Sequence, residues 1–552
     1  SAKNACDAYK DLRTLNSPDA ETNSATNEAN NEADGESAEQ QGVVQQQDGD
    51  PVDPDITNDC GDPIDAVTGS QKITQTDLLI RDIAGAFTLV RTYESIHINE
   101  NGLLGSRWFL NIGSWINVRE QEASIMMPDM HIEKFVCEDG HWISSRGGDK
   151  SLLLEQNETG FTLKLIKKGK TYSYDTQGRL TAITDRNGNC TWLRYVNNTL
   201  TRMEFTSGQV LNFTYAAGKL ASIQDVIGRT VRYRYDRDLL TEVEYPNGGV
   251  IHYSYTAEGY IADITDQNGH HYLHDEYDNE GRVTRQQLSS GQEYILLYND
   301  SSRCNTFLDP LTGYRTVYHY NQDKLTTKIE YNDGSYEAFA YDERQNKIYI
   351  RDRRGHELHR LYNEKSLLVE ERLPNGLITW FDYDENDNLI HQWDNAGRDQ
   401  TFIYNAGGDP VEVSVAIDAT HRRILRFEYD ALGRMTAIIT PNGGKLVYSY
   451  ADNQSEPVSF STAEGAVFRY TYDGAGRRMS ILNDRGEIHF SYNNLDYRTQ
   501  ITDALGNITK YTFDMLCNLT KIVRPNQYNP QLGDGEGTRF VYDEMDEQIQ
   551  RI

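Results

Sequence analysis

From about residue 59 onward, short runs of alternating apolar and polar residues are broken roughly every ten positions by turn-forming clusters of Gly, Asn and Asp. Leu180, Ala182 and Thr184 fall on one face of such a run and Thr181 and Ile183 on the other, the period of two that a strand requires. Leu78–Ile80, Phe87–Tyr93 and Trp115–Val118 read as further short strands, and no stretch of useful length carries apolar residues at the helical period. The pattern predicts an all-β chain.

The runs repeat. Tyr174-Asp175-Thr176-Gln177-Gly178-Arg179 returns as Tyr277-Asp278-Asn279-Glu280-Gly281-Arg282, as Tyr429-Asp430-Ala431-Leu432-Gly433-Arg434 and as Tyr472-Asp473-Gly474-Ala475-Gly476-Arg477. Weaker copies fill the gaps, so an anchor aromatic recurs from Tyr174 to Tyr542 every 20 to 22 residues, except for steps of 25 before Tyr429 and 29 before Tyr542. A second turn lies out of phase with the first, as in Asp185-Arg186-Asn187-Gly188 and Pro246-Asn247-Gly248, where Gly supplies the positive φ of a tight hairpin. Each unit therefore reads strand, turn, strand, turn. An apolar residue six positions after the anchor (Leu180, Val283, Met435) re-enters the strand in a common register.

A fixed period of this length specifies a repeat architecture rather than a compact core. About 18 units of two strands give roughly 36 strands, or about 170 Å of flat ribbon at about 4.8 Å per strand. Open twisted sheets rarely exceed about ten strands without curling or closing. The expected fold is a long spiralling antiparallel sheet, a shell wide enough to enclose volume.

Composition changes this picture in three respects. Tyr outnumbers Phe 36 to 16, which implies a tyrosine-rich, polar interior wall. The net charge of −30 argues against a nucleic-acid groove, whose affinity rests on Lys and Arg. Residues 1–58 are acidic and nearly free of large apolar groups, so they read as a disordered linker, with room for a short helix near residues 5–15. Residues 59–150 read as a separate β-rich domain and 151–552 as the repeat array. Six scattered cysteines form neither a disulfide framework nor a zinc spacing, and most read as small buried hydrophobes. No run is long and apolar enough to span a membrane as a helix, and the first residues lack the pattern of a signal peptide.

The Tyr-Asp-x-x-Gly-Arg array resembles the YD repeats of Rhs proteins, toxin-complex B and C components and teneurins. Asp62–Gly69, Arg91-Thr92-Tyr93, Gly102 to Gly105 with Trp108, and Met127-Pro128-Asp129 before Phe135 resemble the domain that precedes the repeats in Rhs proteins. The resemblance implies a hollow β-cocoon that encapsulates a C-terminal polymorphic toxin and helps deliver it in interbacterial competition. It further implies a secreted or cell-surface location, with a type VI secretion spike and an immunity protein as partners. Neither the Rhs-core terminator nor a toxin domain is found, and the chain stops inside a repeat. The expected partner is thus a toxin domain or the remainder of a shell. The alternative is a surface adhesin or carbohydrate-binding protein with aromatics on its outer face.

The resemblance makes Tyr174, Asp175, Gly178, Arg179 and their equivalents structural residues, with Arg179, Arg282, Arg434 and Arg477 bridging neighbouring hairpins through carboxylate or backbone oxygens. Catalysis is not expected: G-x-S-x-G, H-E-x-x-H and P-loop patterns are missing, and paired carboxylates fall where the repeat sets its turns. His270-His271-x-x-His274 is the densest histidine cluster, but it lacks an evident carboxylate partner, so no metal or cofactor is assigned.

Overall fold

The computed structural model describes residues 59–60, 63–97, 102–543 and 546–552. The acidic stretch 1–58, with the short helix expected near residues 5–15, lies outside the described residues. A single antiparallel sheet of 38 strands runs from Leu152 to Arg551, each strand pairing with the next in sequence. The step of 29 before Tyr542 has a local cause. A 3-10 turn (Pro525–Gln527) and a two-stranded ribbon (Tyr528–Asn529 with Asp534–Gly535) interrupt the array before Leu519–Val523 pairs with Thr538–Tyr542. Ahead of the long sheet stand a three-stranded sheet (Lys72–Ile80, Phe87–Glu94, Trp108–Leu110) and a four-stranded one (Trp115–Arg119, Glu122–Met126, Ile132–Glu138, His141–Ser144).

The alternation read from sequence is broken once per unit. Ser173 faces Ala182 and Tyr174 faces Leu180, so Thr181 is an extra residue, and the same shift precedes almost every anchor aromatic. The bulge places Leu180 and Ile183 on one face, correcting the strict period of two. Bulge threonines return their hydroxyls to the partner strand: Thr181 Oγ1 donates to Ser173 O and Thr520 Oγ1 to Thr512 O, both at 3.0 Å. Each unit thus presents one apolar face, made of the anchor Tyr, the re-entry residue and the apolar positions between, and one polar face.

Turn length explains the repeat spacing. Most first turns are three-residue loops whose last residue is left-handed, as at Gly178 (φ +81°). The turns after Tyr195, Tyr215 and Tyr235 hold only two residues, for Val196 pairs with Thr199, Ala216 with Lys219 and Asp236 with Leu239. One residue fewer gives the anchor spacing of 20.

The sheet coils until its two edges meet. Second turns of the early units touch first turns of the later ones: Arg186 Nη1 to Asn388 Oδ1 at 2.6 Å, Asn187 Nδ2 to Asp409 Oδ1 at 3.1 Å, Asn189 Nδ2 to Leu432 O at 2.8 Å. Gln209 to Gly474 O (2.7 Å) and Asn247 to Met515 O (2.9 Å) carry the seam onward. The turn 185–189 lies 21 strands before the turn 405–409, and 225–229 lies 25 strands before 493–497. At about 4.8 Å per strand one coil is roughly 100–120 Å around and about 35 Å across, leaving about 25 Å once inward side chains take about 5 Å on each side.

Residues 63–97 and 102–149 pack on the apolar face of the first coil, from Gly178 (Ile116 N to Gly178 O, 2.9 Å) to Asn305 (Nδ2 to Ala66 O, 2.9 Å). A body that touches so many successive strands on one face lies on the concave side, so this segment plugs the first coil. Trp108, Tyr93, Leu89, Ile125 and Phe135 of the plug join Leu193, Met203, Ile223, Val243 and Leu273 of the sheet in one buried cluster. Each such side chain contributes about 1.5–3 kcal/mol by burial.

Candidate functional site

The Tyr-Asp-x-x-Gly-Arg residues build a clamp. Asp175 Oδ1 accepts the amides of Gln177 (2.9 Å) and Arg179 (3.0 Å), and its Oδ2 accepts Arg179 Nε (2.8 Å). Partial burial would raise the Asp175 carboxyl, but the Arg179 guanidinium and the turn amides outweigh it and hold it below the usual carboxylate range. The free end of the guanidinium reaches the next unit, where Nη1 donates to Asn198 Oδ1 (2.8 Å) and the group stands 4.8 Å above the Tyr195 ring.

The other three copies repeat the arrangement. Arg282 joins Asp278 to Asp300, both at 2.8 Å, over Tyr298. Arg434 joins Asp430 to Ala451 O and Gln454 O over Tyr450. Arg477 joins Asp473 to Asn493 O over Tyr492. Each arginine bridges to the neighbouring hairpin through carboxylate, amide or backbone oxygens, and its stacking on the next anchor adds a cation–π contact. Gly281, Gly433 and Gly476 hold the same left-handed corner as Gly178, where a Cβ would stand 2.0 Å from Ile116 O.

The anchor tyrosines link units in a second way. Tyr195 OH donates to Leu180 O (2.9 Å), Tyr215 to Leu200 O (2.7 Å), Tyr235 to Leu220 O (2.8 Å), and the pattern persists at Tyr404 and Tyr450. Each hydroxyl caps the carbonyl of the preceding unit's re-entry residue, and Tyr277 and Tyr429 do the same to Ile261 O and Pro410 O. Tyr472 does so to Pro457 O. Tyr174, the first anchor, bonds Ser114 Oγ of the plug at 2.8 Å instead. Burial pushes the phenols of Tyr195 and Tyr215 up to about 12.

The concave wall is not the polar surface that tyrosine content suggested. It carries the anchor rings, Ile and Phe, while the convex wall carries ion pairs such as Arg234–Glu242 and Arg285–Glu293. The cause is the bulge, which gathers the re-entry residue and the next apolar residue on the anchor's side. In the first coil the plug covers this wall, and Ile223, Val243 and Leu273 are buried. In the second coil the equivalent Val413 and Ile438 are still buried among sheet residues, whereas Ile481, Ile501 and Ile522 are only half-buried. Cations lie over its rings: Arg478 over Tyr470 and Arg498 over Phe490.

The histidine cluster has a carboxylate that sequence spacing did not reveal. His271 Nε2 and His274 Nδ1 both meet Asp263 Oδ1, at 3.0 and 2.7 Å, because Asp263 lies on the adjacent strand. Among the described residues no group of three or more His, Cys, Asp or Glu side chains is arranged to hold a metal ion. Cys190 and Cys517 are buried and Cys137 and Cys304 half-buried, all as free thiols. No described helix is long and apolar enough to cross a membrane.

Three family models match the chain. The teneurin YD-shell matches residues 157–275, a domain of unknown function (DUF6531) residues 61–135, and the RHS repeat residues 404–445. No curated protein matches. Among solved structures, TcdB2-TccC3-Cdc42 and TcdB2-TccC3 without its hypervariable C-terminal region each align over 84% of this chain, with TM-score 0.51 and 12% identity. The match covers 27% of each of those longer chains, and at this identity the likeness is one of fold.

Proposed function

Since the chain belongs to the Rhs/YD-repeat proteins, we propose that it forms part of a hollow shell that encloses a toxin polypeptide and keeps it from its surroundings until delivery. The observation that carries this reading is the contrast between the two coils. One apolar wall is buried under the plug in the first coil, and its continuation late in the second lines a space about 25 Å wide with the half-buried Phe468, Ile481, Ile501, Phe513 and Ile522. A wall of that kind holds an extended chain through apolar and aromatic contacts without offering a complementary core to fold against.

In this proposal the occupant is a C-terminal toxin domain, with further shell closing over it. Release serves competition between bacteria, the assembled protein acts outside the producing cell or on its surface, and a secretion spike and an immunity protein are its partners. The residues carried by the YD motif hold the wall together and take no part in chemistry. The domain division at residue 150 fits the same scheme, the preceding segment serving as plug and the array as wall.

The test is protease access. In the native protein carrying the toxin domain, that domain should survive a protease concentration that digests it when expressed alone. Digestion at equal rates would reject enclosure.

One observation favours a second reading. Trp380 and Trp393 lie on the convex wall with ring centroids 5.9 Å apart, and His391 stacks on Trp393 at 4.3 Å. Such an aromatic group on an outer face is what glycan binding by the shell would use. A glycan array probed with the intact chain should then give signal that is lost in W380A/W393A, and a blank array would remove this reading.

A further inference from the structure

The seam between the two coils has one junction unlike the rest. In the turn Asn493-Asn494-Leu495-Asp496-Tyr497, Asp496 occupies the corner that glycine holds in Tyr-Asp-x-x-Gly-Arg turns, with φ +69°. A side chain there costs about 1 kcal/mol, as it also does at Lys324 and Gln345, and what distinguishes Asp496 is the set of contacts its carboxylate makes. The Asp496 carboxylate meets three arginines from three parts of the molecule. Arg229 Nη1 of the first coil donates to Oδ1 (2.6 Å), Arg477 Nη1 of the second coil approaches the same oxygen (3.3 Å), and Arg81 Nη1 of the plug donates to Oδ2 (3.0 Å).

The surroundings make the contact selective. Arg229 and Asp496 are 4% and 12% exposed, which limits screening by salt. Arg229 is also held by Asp225 Oδ2 (2.6 Å) and Leu79 O (3.1 Å), and Arg477 by Asp473. With Asp496 the junction sets three guanidinium groups against three carboxylates, and without it the part-exposed Arg81 loses the carboxylate it meets here while Arg229 and Arg477 keep Asp225 and Asp473. Beside it, Leu495 packs on the main core cluster, Asn494 Nδ2 donates to Pro246 O (3.0 Å) and the Ser207 amide donates to Asp82 Oδ1 (2.8 Å).

We infer that Asp496 is the latch that fastens the second coil to both the plug and the first coil, and that the shell opens first at this seam when the latch is lost. The latch stands on the coil geometry and is independent of what the shell encloses.

D496G separates the two roles of the residue, because glycine suits the left-handed corner better than aspartate while the carboxylate is removed. Hydrogen exchange of the whole chain is the readout. In D496G, amides of residues 79–82, 225–229 and 493–497 should all exchange about tenfold faster than in wild type, and D496N should follow. K324G, which makes the same corner substitution at another first turn, should leave these three segments unchanged. R81A, which removes only the plug's arm, should loosen 79–82 and 493–497 and serves if D496G fails to fold. Exchange within about twofold of wild type in D496G and R81A, or an increase in D496G confined to 493–497, would overturn the latch.

Discussion

One buried ion pair of the plug faces the sheet and contributes to its docking, and replacing Asp77 tests it. Asp77 and Arg91 contact each other with side chains fully buried. Arg91 Nη2 donates to Tyr245 OH (2.9 Å) and Tyr253 OH (3.1 Å) of the sheet, and Tyr233 OH donates to Asp77 Oδ2 (2.6 Å). The guanidinium also lies 5.6 Å from the Trp108 ring centroid and 5.5 Å from that of Tyr245. D77L leaves a guanidinium without its counter-charge in a site that excludes water, a cost of about 3–5 kcal/mol. R91M leaves a carboxylate holding one hydroxyl and costs a similar amount.

The double variant D77L/R91M strands no charge. It leaves three tyrosine hydroxyls short of a partner at about 1 kcal/mol each, so its cost should be about 3 kcal/mol, well below the sum of the singles. A repeat shell does not unfold in one step, so the assay is native-state hydrogen exchange of strands Lys72–Ile80 and Phe87–Glu94, read as local opening free energies. Singles that add up to the double would refute the argument, because independent costs mean that the pair carries no shared charge compensation.

Further outcomes follow from the same geometry. R434K should cost about 1–2 kcal/mol in the opening of the units on either side of Tyr450, since lysine cannot hold Asp430 and the oxygens of Ala451 and Gln454 together; exchange in those turns reports it. Q345G should stabilise its turn by about 0.5–1 kcal/mol, as Gln345 occupies the left-handed corner at φ +66°; slower exchange at 342–346 is the expected sign. Tyr195 and Tyr215 have phenols raised from an unfolded value near 10 to about 12. The stability they contribute is therefore complete below pH 10 and is lost as pH rises towards 12. Urea midpoints followed by circular dichroism should be level between about pH 8 and 9.5 and fall between about 10 and 12, and a level profile through that range would contradict the buried ladder.

How much the sequence disclosed depended on how local each interaction is. The Tyr-Asp-x-x-Gly-Arg turn was legible because its clamp closes within five residues, from Asp175 to Arg179, and its glycine answers a backbone need at a single corner. The sidedness of the strands was not, because a bulge at Thr181 reverses the alternation while leaving no mark beyond a threonine. A polar interior was inferred from tyrosine content, and the structure turns that wall the other way. The two-residue turns after Tyr195, Tyr215 and Tyr235 were visible only as a spacing of 20. The seam lay beyond sequence reasoning altogether: Asn187 and Asp409 meet across 222 residues, and neither carries a local signal of a partner. Asp496 could not be picked out locally either, because Lys324, Gln345, Ser366, Asp387 and Cys517 occupy the same left-handed corner.

The central claim is that the 38-stranded ribbon closes on itself around an open interior. Electron cryomicroscopy of the intact chain tests it most directly. The coiled shell should appear as a ring about 45–55 Å wide carrying a second tier of roughly half to four-fifths of a turn, with a dense plug in the full tier and a central region of low density beside the partial one. An extended ribbon about 180 Å long, or a tier opposite the plug that is solid with side chains, would contradict it.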